Sequence, residues 1–273
     1  MPLLKAAFAQ LRRLITTPPA TNTQAPYPKT RTVVTDILAE GRRKNTIQLL
    51  LDIDATAMVA QIEKRTAAAE KISITSYIAH TLAASVAADP GMHAYRHKGR
   101  QLIMFKDVDL AVMVEREVDG APMPLPYIVR SANQKPLPAL HAELSHAKTA
   151  ALREVGPFSA LEATFFSQPR WLRKIVWHFA RRDAHLFREL AGTVGLTSMG
   201  MHGHGRAVVI PITPMTLTLS VGTTSPQPAV VDGVVVVREM LQLNLSADHD
   251  IIDGAPLMRF ATTLKKNLEN GSA

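Results

Sequence analysis

Cysteine is absent from all 273 residues. Disulfides, thiolate zinc sites and a cysteine nucleophile are therefore excluded. The compartment stays open, and a cytoplasmic location fits. No apolar run approaches the roughly 20 residues needed to span a bilayer. The opening MPLLKAAFAQLRRLITTPPA is no secretory signal, because Arg12 and Arg13 interrupt the stretch where its apolar core should continue. No internal repeat is visible.

Apolar residues make up 47% of the chain, which points to a folded globular protein. The net charge of +8 suits nucleic acid, an anionic membrane surface or an anionic small molecule such as a phosphorylated cofactor. The basic residues are dispersed and show no aromatic–basic interleaving of a known nucleic-acid module, so no nucleic-acid partner is expected.

Residues 1–28 read as a separate segment. Leu3, Leu4, Ala7, Phe8, Leu11, Leu14 and Ile15 repeat at helical spacing, and a Pro/Thr-rich linker follows. This helix either docks on its own domain or contacts a membrane or partner. Residues 29–273 form the main domain. Strands are expected over 47–54, 101–105, 108–115, 125–130, 192–198, 207–212, 215–222 and 234–246, with a turn at Asp232-Gly233. Helices are expected over 55–70, with Asp54 as N-cap, over 74–88, over 137–153 and at the C-terminus. Their mixed order indicates one α/β domain, a two-layer sandwich in which a mixed β-sheet is covered by helices. The stretch 168–190, QPRWLRKIVWHFARRDAHLFREL, is an additional basic and aromatic helical segment, with Trp171, Ile175, Phe179 and Leu186 on one side. Two readings stand: a surface helix packed on its own domain through the aromatics, or contact with anionic lipid or a partner.

The chemistry-bearing stretch is LNLSADHDIIDGAPLMRF, 243–260. A histidine at the end of a rigid strand can take a proton from a thiol or hydroxyl that attacks a carbonyl. The alternative is that His249 is a turn residue and Asp253 simply N-caps the last helix. A metal site is the weaker reading: no second histidine lies nearby in sequence, and His202 and His204 could approach only through the fold.

The segment 243–270 resembles the C-terminal end of the catalytic domain of dihydrolipoamide acyltransferases, the cores of 2-oxo acid dehydrogenase complexes. Chloramphenicol acetyltransferase shares that fold and the His-x-x-x-Asp-Gly motif. AGTVGLTSMGMHG, 191–203, is similar to the family's Gly-Gly-Thr-Phe-Thr-Ile-Ser-Asn-Leu-Gly stretch, with the family's catalytic serine falling on Thr197. Weaker similarity runs from about residue 30 to the end.

The resemblance implies a chloramphenicol acetyltransferase-like fold and an acyl-CoA-dependent acyltransferase. His249 would be the general base and Thr197 would donate a hydrogen bond to the tetrahedral oxyanion. Asp253 would order the site, and Gly254 would permit a tight turn. Coenzyme A enters as substrate, with no metal and no lipoyl group attached to this chain. It further implies a homotrimer with active sites between subunits. The partners are acyl-CoA, an unidentified acyl acceptor and, as a further reading, a membrane surface touched peripherally.

Four departures from the family pattern are visible. Asp250 replaces the usual arginine after the histidine. Asp36 sits where the first helix usually carries an arginine pair, with Arg42 and Arg43 following later. The 168–190 segment has no counterpart. No lipoyl domain or lipoylation site precedes the catalytic part, which favours a free-standing enzyme. The alternative is a non-catalytic oligomeric scaffold related to dehydrogenase-complex cores. His93, Tyr95 and Met123 are candidates for lining the acyl pocket.

Overall fold

The computed structural model describes residues 31–118, 121–149, 168–198 and 205–271, with positions 7, 8, 10, 23 and 27. The expected segment 1–28 thus lies almost wholly outside the described residues, as do His202 and His204. The chain divides into two compact units, Met1–Val34 and Thr35–Ala273; apart from residues 31–34, the features below belong to the second.

In chain order the elements begin with α1 (Arg31–Gly41), β1 (Thr46–Asp54), α2 (Thr56–Ala67), α3 (Ile74–Ala88), β2 (Tyr95–His97), β3 (Gln101–Ile103), β4 (Leu110–Val118) and β5 (Ala121–Val129). There follow α4 (Leu137–Thr149), α5 (Arg170–Ala180), α6 (Ala184–Ala191), β6 (Val194–Ser198), β7 (Leu217–Val231), β8 (Val234–Asp248) and α7 (Gly254–Glu269). Six strands make one mixed sheet in the order β1-β8-β7-β6-β4-β5, while β2 and β3 pair separately. Strand β6 runs parallel to both β7 and β4, and the other pairs are antiparallel.

Alternation along the strands separates two faces. Leu49 and Leu51 of β1, Leu217 and Leu219 of β7, Leu243 and Leu245 of β8, and Leu110 of β4 belong to the main apolar core. Ile78 and Leu82 of α3, Leu140 and Leu144 of α4, and Phe260 and Leu264 of α7 complete it. Leu49 and Leu51 are partly buried against it, while each fully buried leucine stabilises the fold by about 2 kcal/mol. The alternate positions carry Gln48, Thr197, Thr218, Ser220, Gln242, Asn244 and Ser246, so the reverse face of the sheet is polar. A second apolar cluster covers part of that face, where Ala111 of β4 meets Trp177 of α5 and Phe187 of α6.

Local signals set several element ends. The expected N-cap is displaced by one residue: Ala55 takes the N-cap position of α2, while Asp54 accepts from the Thr56 backbone N–H at 3.0 Å. Ser73 accepts from the Ser76 N–H at 3.1 Å and starts α3, which stops before Asp89-Pro90. Asp232 and Gly233, with φ of 50° and 80°, form the two-residue turn between β7 and β8.

The structure corrects other expectations. Residues 207–212 form no strand. They cross over β7, anchored by Ala207 N–H to Thr223 Oγ1 at 3.0 Å, and Pro211 has no N–H to give a ladder. Gly222 permits this crossing, since a Cβ there would collide with the Ala207 carbonyl. Strand β7 runs on to Val231 through Pro226 and Pro228, and β5 begins already at Ala121 despite Pro122, Pro124 and Pro126. The β5 prolines alternate on the sheet's edge strand, where their missing N–H groups face outward rather than toward β4. The single helix expected over 168–190 is two, α5 and α6, because Asp183 accepts from the N–H groups of His185 and Leu186 and starts a new helix.

Candidate active site

Strand β8 ends at Asp248, and the turn after it is fixed from several sides. Asp248 is buried, paired with Lys44 Nζ at 2.6 Å, and accepts from the Asp250 N–H at 3.2 Å. Its carbonyl accepts from the N–H groups of Ile251 and Ile252 at 3.0 and 2.9 Å. The His249 N–H donates to the Asn45 carbonyl at 2.7 Å. The backbone of His249 is therefore held while its side chain stays 45% exposed, with Nδ1 3.6 Å from Asp253 Oδ1.

Asp253 occupies the N-cap position of α7, yet its side chain makes no cap bond. It is exposed and faces the imidazole instead. Gly254 does not take a positive φ, and a Cβ there would meet open space, so the turn itself does not require glycine. Asp250 accepts from Asn45 Nδ2 at 2.9 Å. Lys44 and Asn45 escape sequence reading because only the pairing of Thr46 with Asp248 brings the start of β1 to the end of β8.

Thr197 lies on β6, half-buried on the polar face. It is level with Ser220 of β7, which is level with Asn244 of β8. Ser220 Oγ and Asn244 Oδ1 are buried without hydrogen-bond partners among the described residues. His249 lies five residues further along β8 than Asn244. At about 3.3 Å per residue that is roughly 16 Å along the strand, before two strand spacings of about 4.8 Å are added. One chain thus does not bring His249 and Thr197 together.

Beside the His249 turn lies a pocket of mixed charge, lined by Arg43, Lys44, Arg96 and Arg181, by the rings of Tyr95 and Phe187, and by the carboxylates of Glu40, Asp248 and Asp250. Lys44 Nζ stands 5.9 Å from the Tyr95 ring centre. Lys44 is paired with Asp248, and Arg181 and Arg43 with Glu40, so the lining carries four cations against three carboxylates. Burial raises the Tyr95 hydroxyl's pKa, and that hydroxyl donates to the Thr193 carbonyl at 2.8 Å. His93 does not line this pocket: it is buried, its Nδ1 3.1 Å from Thr193 Oγ1. The Met123 side chain lies outside the described residues.

The replacement at Asp36 has a structural partner. Asp36 is buried on α1 and accepts from Arg173 Nε of α5 at 2.7 Å, with Arg170 Nε 3.6 Å away. Glu40 pairs with Arg181 at 3.3 Å. Acidic residues on α1 thereby hold the additional helix.

Residues 19–162 and 178–273 match the family model described as 2-oxoacid dehydrogenases acyltransferase (catalytic domain), with 163–177 left unmatched. The lipoamide acyltransferase component of the branched-chain alpha-keto acid dehydrogenase complex of Pseudomonas putida is 34% identical over 91 residues, 33% of this chain and 22% of that protein. The dihydrolipoyllysine-residue acetyltransferase component of the pyruvate dehydrogenase complex of Corynebacterium glutamicum is 34% identical over 85 residues, 30% of this chain and 13% of that protein. This chain therefore spans less than a quarter of the length of either relative. Among solved structures, dihydrolipoamide acetyltransferase of Azotobacter vinelandii superposes with a TM-score of 0.70 at 21% identity, covering 93% of this chain and 96% of that one. A probable dihydrolipoamide acetyltransferase of Listeria monocytogenes gives 0.68 at 18% identity, covering 93% and 97%. Both likenesses bear out the expected α/β sandwich. With the family model running through the β6 strand, the β8 turn and most of the chain between, this protein belongs to the 2-oxoacid dehydrogenase acyltransferase (catalytic domain) family.

Proposed function

We propose that this chain transfers an acyl group from a coenzyme A thioester to a thiol or hydroxyl acceptor, in sites formed between subunits of a trimer. His249 removes the proton from the acceptor, and the resulting thiolate or alkoxide attacks the thioester carbon. Thr197 Oγ1 donates to the tetrahedral oxyanion. The intermediate collapses, expelling the coenzyme A thiolate, which takes the proton back from the imidazolium. Asp253, with Oδ1 3.6 Å from His249 Nδ1, positions the ring.

The observation that carries the reading is the exposed His249–Asp253 pair on a clamped turn, in a chain matched by this family on both sides of it. The Azotobacter vinelandii enzyme has a serine, a histidine and an asparagine under study for roles in its catalytic mechanism; Thr197, His249 and Asp253 are this chain's candidates for the same work. Arg96, which lines the pocket beside the turn, is a candidate contact for an anionic donor such as coenzyme A. The separation of His249 from Thr197 supports sites between subunits. The exposed Val209, Ile210 and Ile212, and Val234, Val235 and Val237 at the hairpin tip, offer apolar surface for subunit contact.

The test is thioester loss with a panel of acyl-CoA substrates and dihydrolipoamide or other thiol and hydroxyl acceptors. His249→Ala is expected to lower turnover by about 100-fold or more. Thr197→Val is expected to lose about 100-fold, while Thr197→Ser, which keeps the donor, retains activity. Equal turnover in the wild type and His249→Ala sinks the mechanism. A second reading, a non-catalytic scaffold, draws on Asp250, which is bound to Asn45 where the family carries arginine. It predicts no coenzyme A binding and no cellular effect of His249→Ala.

A further inference from the structure

Helix α5 has two unlike sides. Inward, Trp177 and Ala180 join the second apolar cluster and Arg173 is locked to Asp36. Outward, Trp171, Ile175 and Phe179 are 64%, 44% and 58% exposed. Spaced by four, these three form one line on the helix, about 12 Å long. The aromatics that pack on the domain are thus Trp177 and Phe187, while the stripe read from the sequence faces out.

The surroundings of the stripe are cationic. Arg170, Lys174 and Arg182 are exposed on or just after α5. The β2–β3 turn is held at its end by the Lys98 N–H donating to the Arg182 carbonyl at 2.7 Å, which adds exposed Lys98 and Arg100. The nearby acids are turned to other tasks: Asp36 pairs with Arg173 at 2.7 Å and lies 3.6 Å from exposed Arg170, Glu40 pairs with Arg181, and Asp183 caps α6. Trp171 and Ile175 also fall in 163–177, the internal stretch that the family model leaves unmatched, whereas Phe179 lies in the matched part. The stripe thus starts in the unmatched stretch and ends in the matched domain, and the buried Asp36–Arg173 pair fixes its helix.

We infer that α5 seats this protein on an anionic phospholipid surface. Trp171, Ile175 and Phe179 enter the boundary between headgroups and acyl chains, and Arg170, Lys174, Arg182, Lys98 and Arg100 pair with lipid phosphates. A second copy of this chain is the poorer occupant, since a two-fold contact through the stripe sets Lys174 and Arg170 against their own equivalents. The inference does not depend on the acyl-transfer chemistry.

The chain has two tryptophans, Trp171 exposed and Trp177 buried, so a change of indole environment on docking reports Trp171. With the full-length protein and vesicles of mixed phosphatidylglycerol and phosphatidylcholine, the emission is expected to shift to the blue and to be quenched by brominated acyl chains. The protein is expected to sediment with these vesicles and not with pure phosphatidylcholine. Binding weakens about 10-fold in Ile175→Ala/Phe179→Ala and in Lys174→Glu/Arg182→Glu, and at high salt. Turnover of soluble thioesters stays unchanged in both double variants, which separates failure here from failure of the acyltransferase reading. Three results overturn the inference: no sedimentation with anionic vesicles; binding that survives Ile175→Ala/Phe179→Ala, which assigns it to another surface; or a Trp171 emission already blue in free protein and lost on dilution, which gives the stripe to a second copy.

Discussion

His93 lies buried between α3 and β2, beside Thr193 and with the edge of its ring toward Phe105. Burial pushes its imidazole down from the usual 6.5 to about 4. The unfolded chain takes up this proton below about pH 6.5, the folded protein only below about pH 4. Stability is therefore lost as the pH falls through that window, by about 3 kcal/mol in total. Urea unfolding between pH 7.5 and 4.5 is expected to show this loss, and His93→Gln, which keeps a polar partner for Thr193, is expected to flatten it. An unchanged pH slope in the variant would assign the loss to other groups. Asp109 acts in a lower range. Burial raises its carboxyl, but hydrogen bonds from Arg188, the Ser131 N–H and Arg130 outweigh this and hold it below the usual carboxylate range, so its contribution is lost only as pH falls further. His249 contrasts with His93 in every respect that matters for chemistry: it is open to solvent, on a clamped backbone, and paired with a free carboxylate. Burial and partners divide structural from reactive histidine, and neither is a property of the residue type.

At the scale of elements, α5 and α1 depend on each other. The Asp36–Arg173 pair is buried on both sides. Removing one partner leaves the other charge uncompensated in the interior, which costs about 3–5 kcal/mol. Asp36→Ala is therefore expected to lower stability by that amount in denaturant melts, whereas Trp171→Ala, on the exposed side of the same helix, changes it by less than about 0.5 kcal/mol. Replacing both ions by apolar residues of similar size, Asp36→Leu with Arg173→Met, is expected to recover most of the loss. If Asp36→Ala is neutral, α5 is held by Trp177 and Ala180 alone. This coupling also explains the departure at Asp36. Where relatives are expected to carry arginine, this chain carries the acid that its additional helix requires. The change was legible as an anomaly in the sequence, but its reason was not, because Asp36 and Arg173 are 137 positions apart.

For the whole molecule, the strand order decides what one chain can do. Thr197 on β6 and His249 beyond β8 are separated by roughly 16 Å along the strand direction alone. If each site takes His249 from one subunit and Thr197 from another, the inactive variants His249→Ala and Thr197→Val complement each other. Co-assembled from equal amounts, they are expected to recover roughly a quarter of wild-type turnover, since half the subunits supply an intact histidine and half an intact threonine. Mixing without co-assembly recovers nothing. No recovery in verified mixed trimers would place both groups in one chain's site and contradict the register. On the proposed mechanism, assembly and acyl transfer are one property.

What the sequence determined by itself is local. The period of leucines in β7 and β8, the Asp232-Gly233 turn, the Ser73 cap and the four-residue step from His249 to Asp253 all act over a few residues, where backbone periodicity dictates which side chains are neighbours. The motifs at 191–203 and 243–260 brought the family into view for the same reason, as short runs whose spacing is kept. The tertiary structure alone decided the rest. It set Lys44 against Asp248 across 204 positions, tied Asn45 to the His249 turn, laid 207–212 across the sheet instead of into it, and turned Trp177 inward while Trp171 stayed outside. Those outcomes follow from strand order and register. Both are set by the joint burial of all the apolar faces at once, and no short stretch of residues contains that sum.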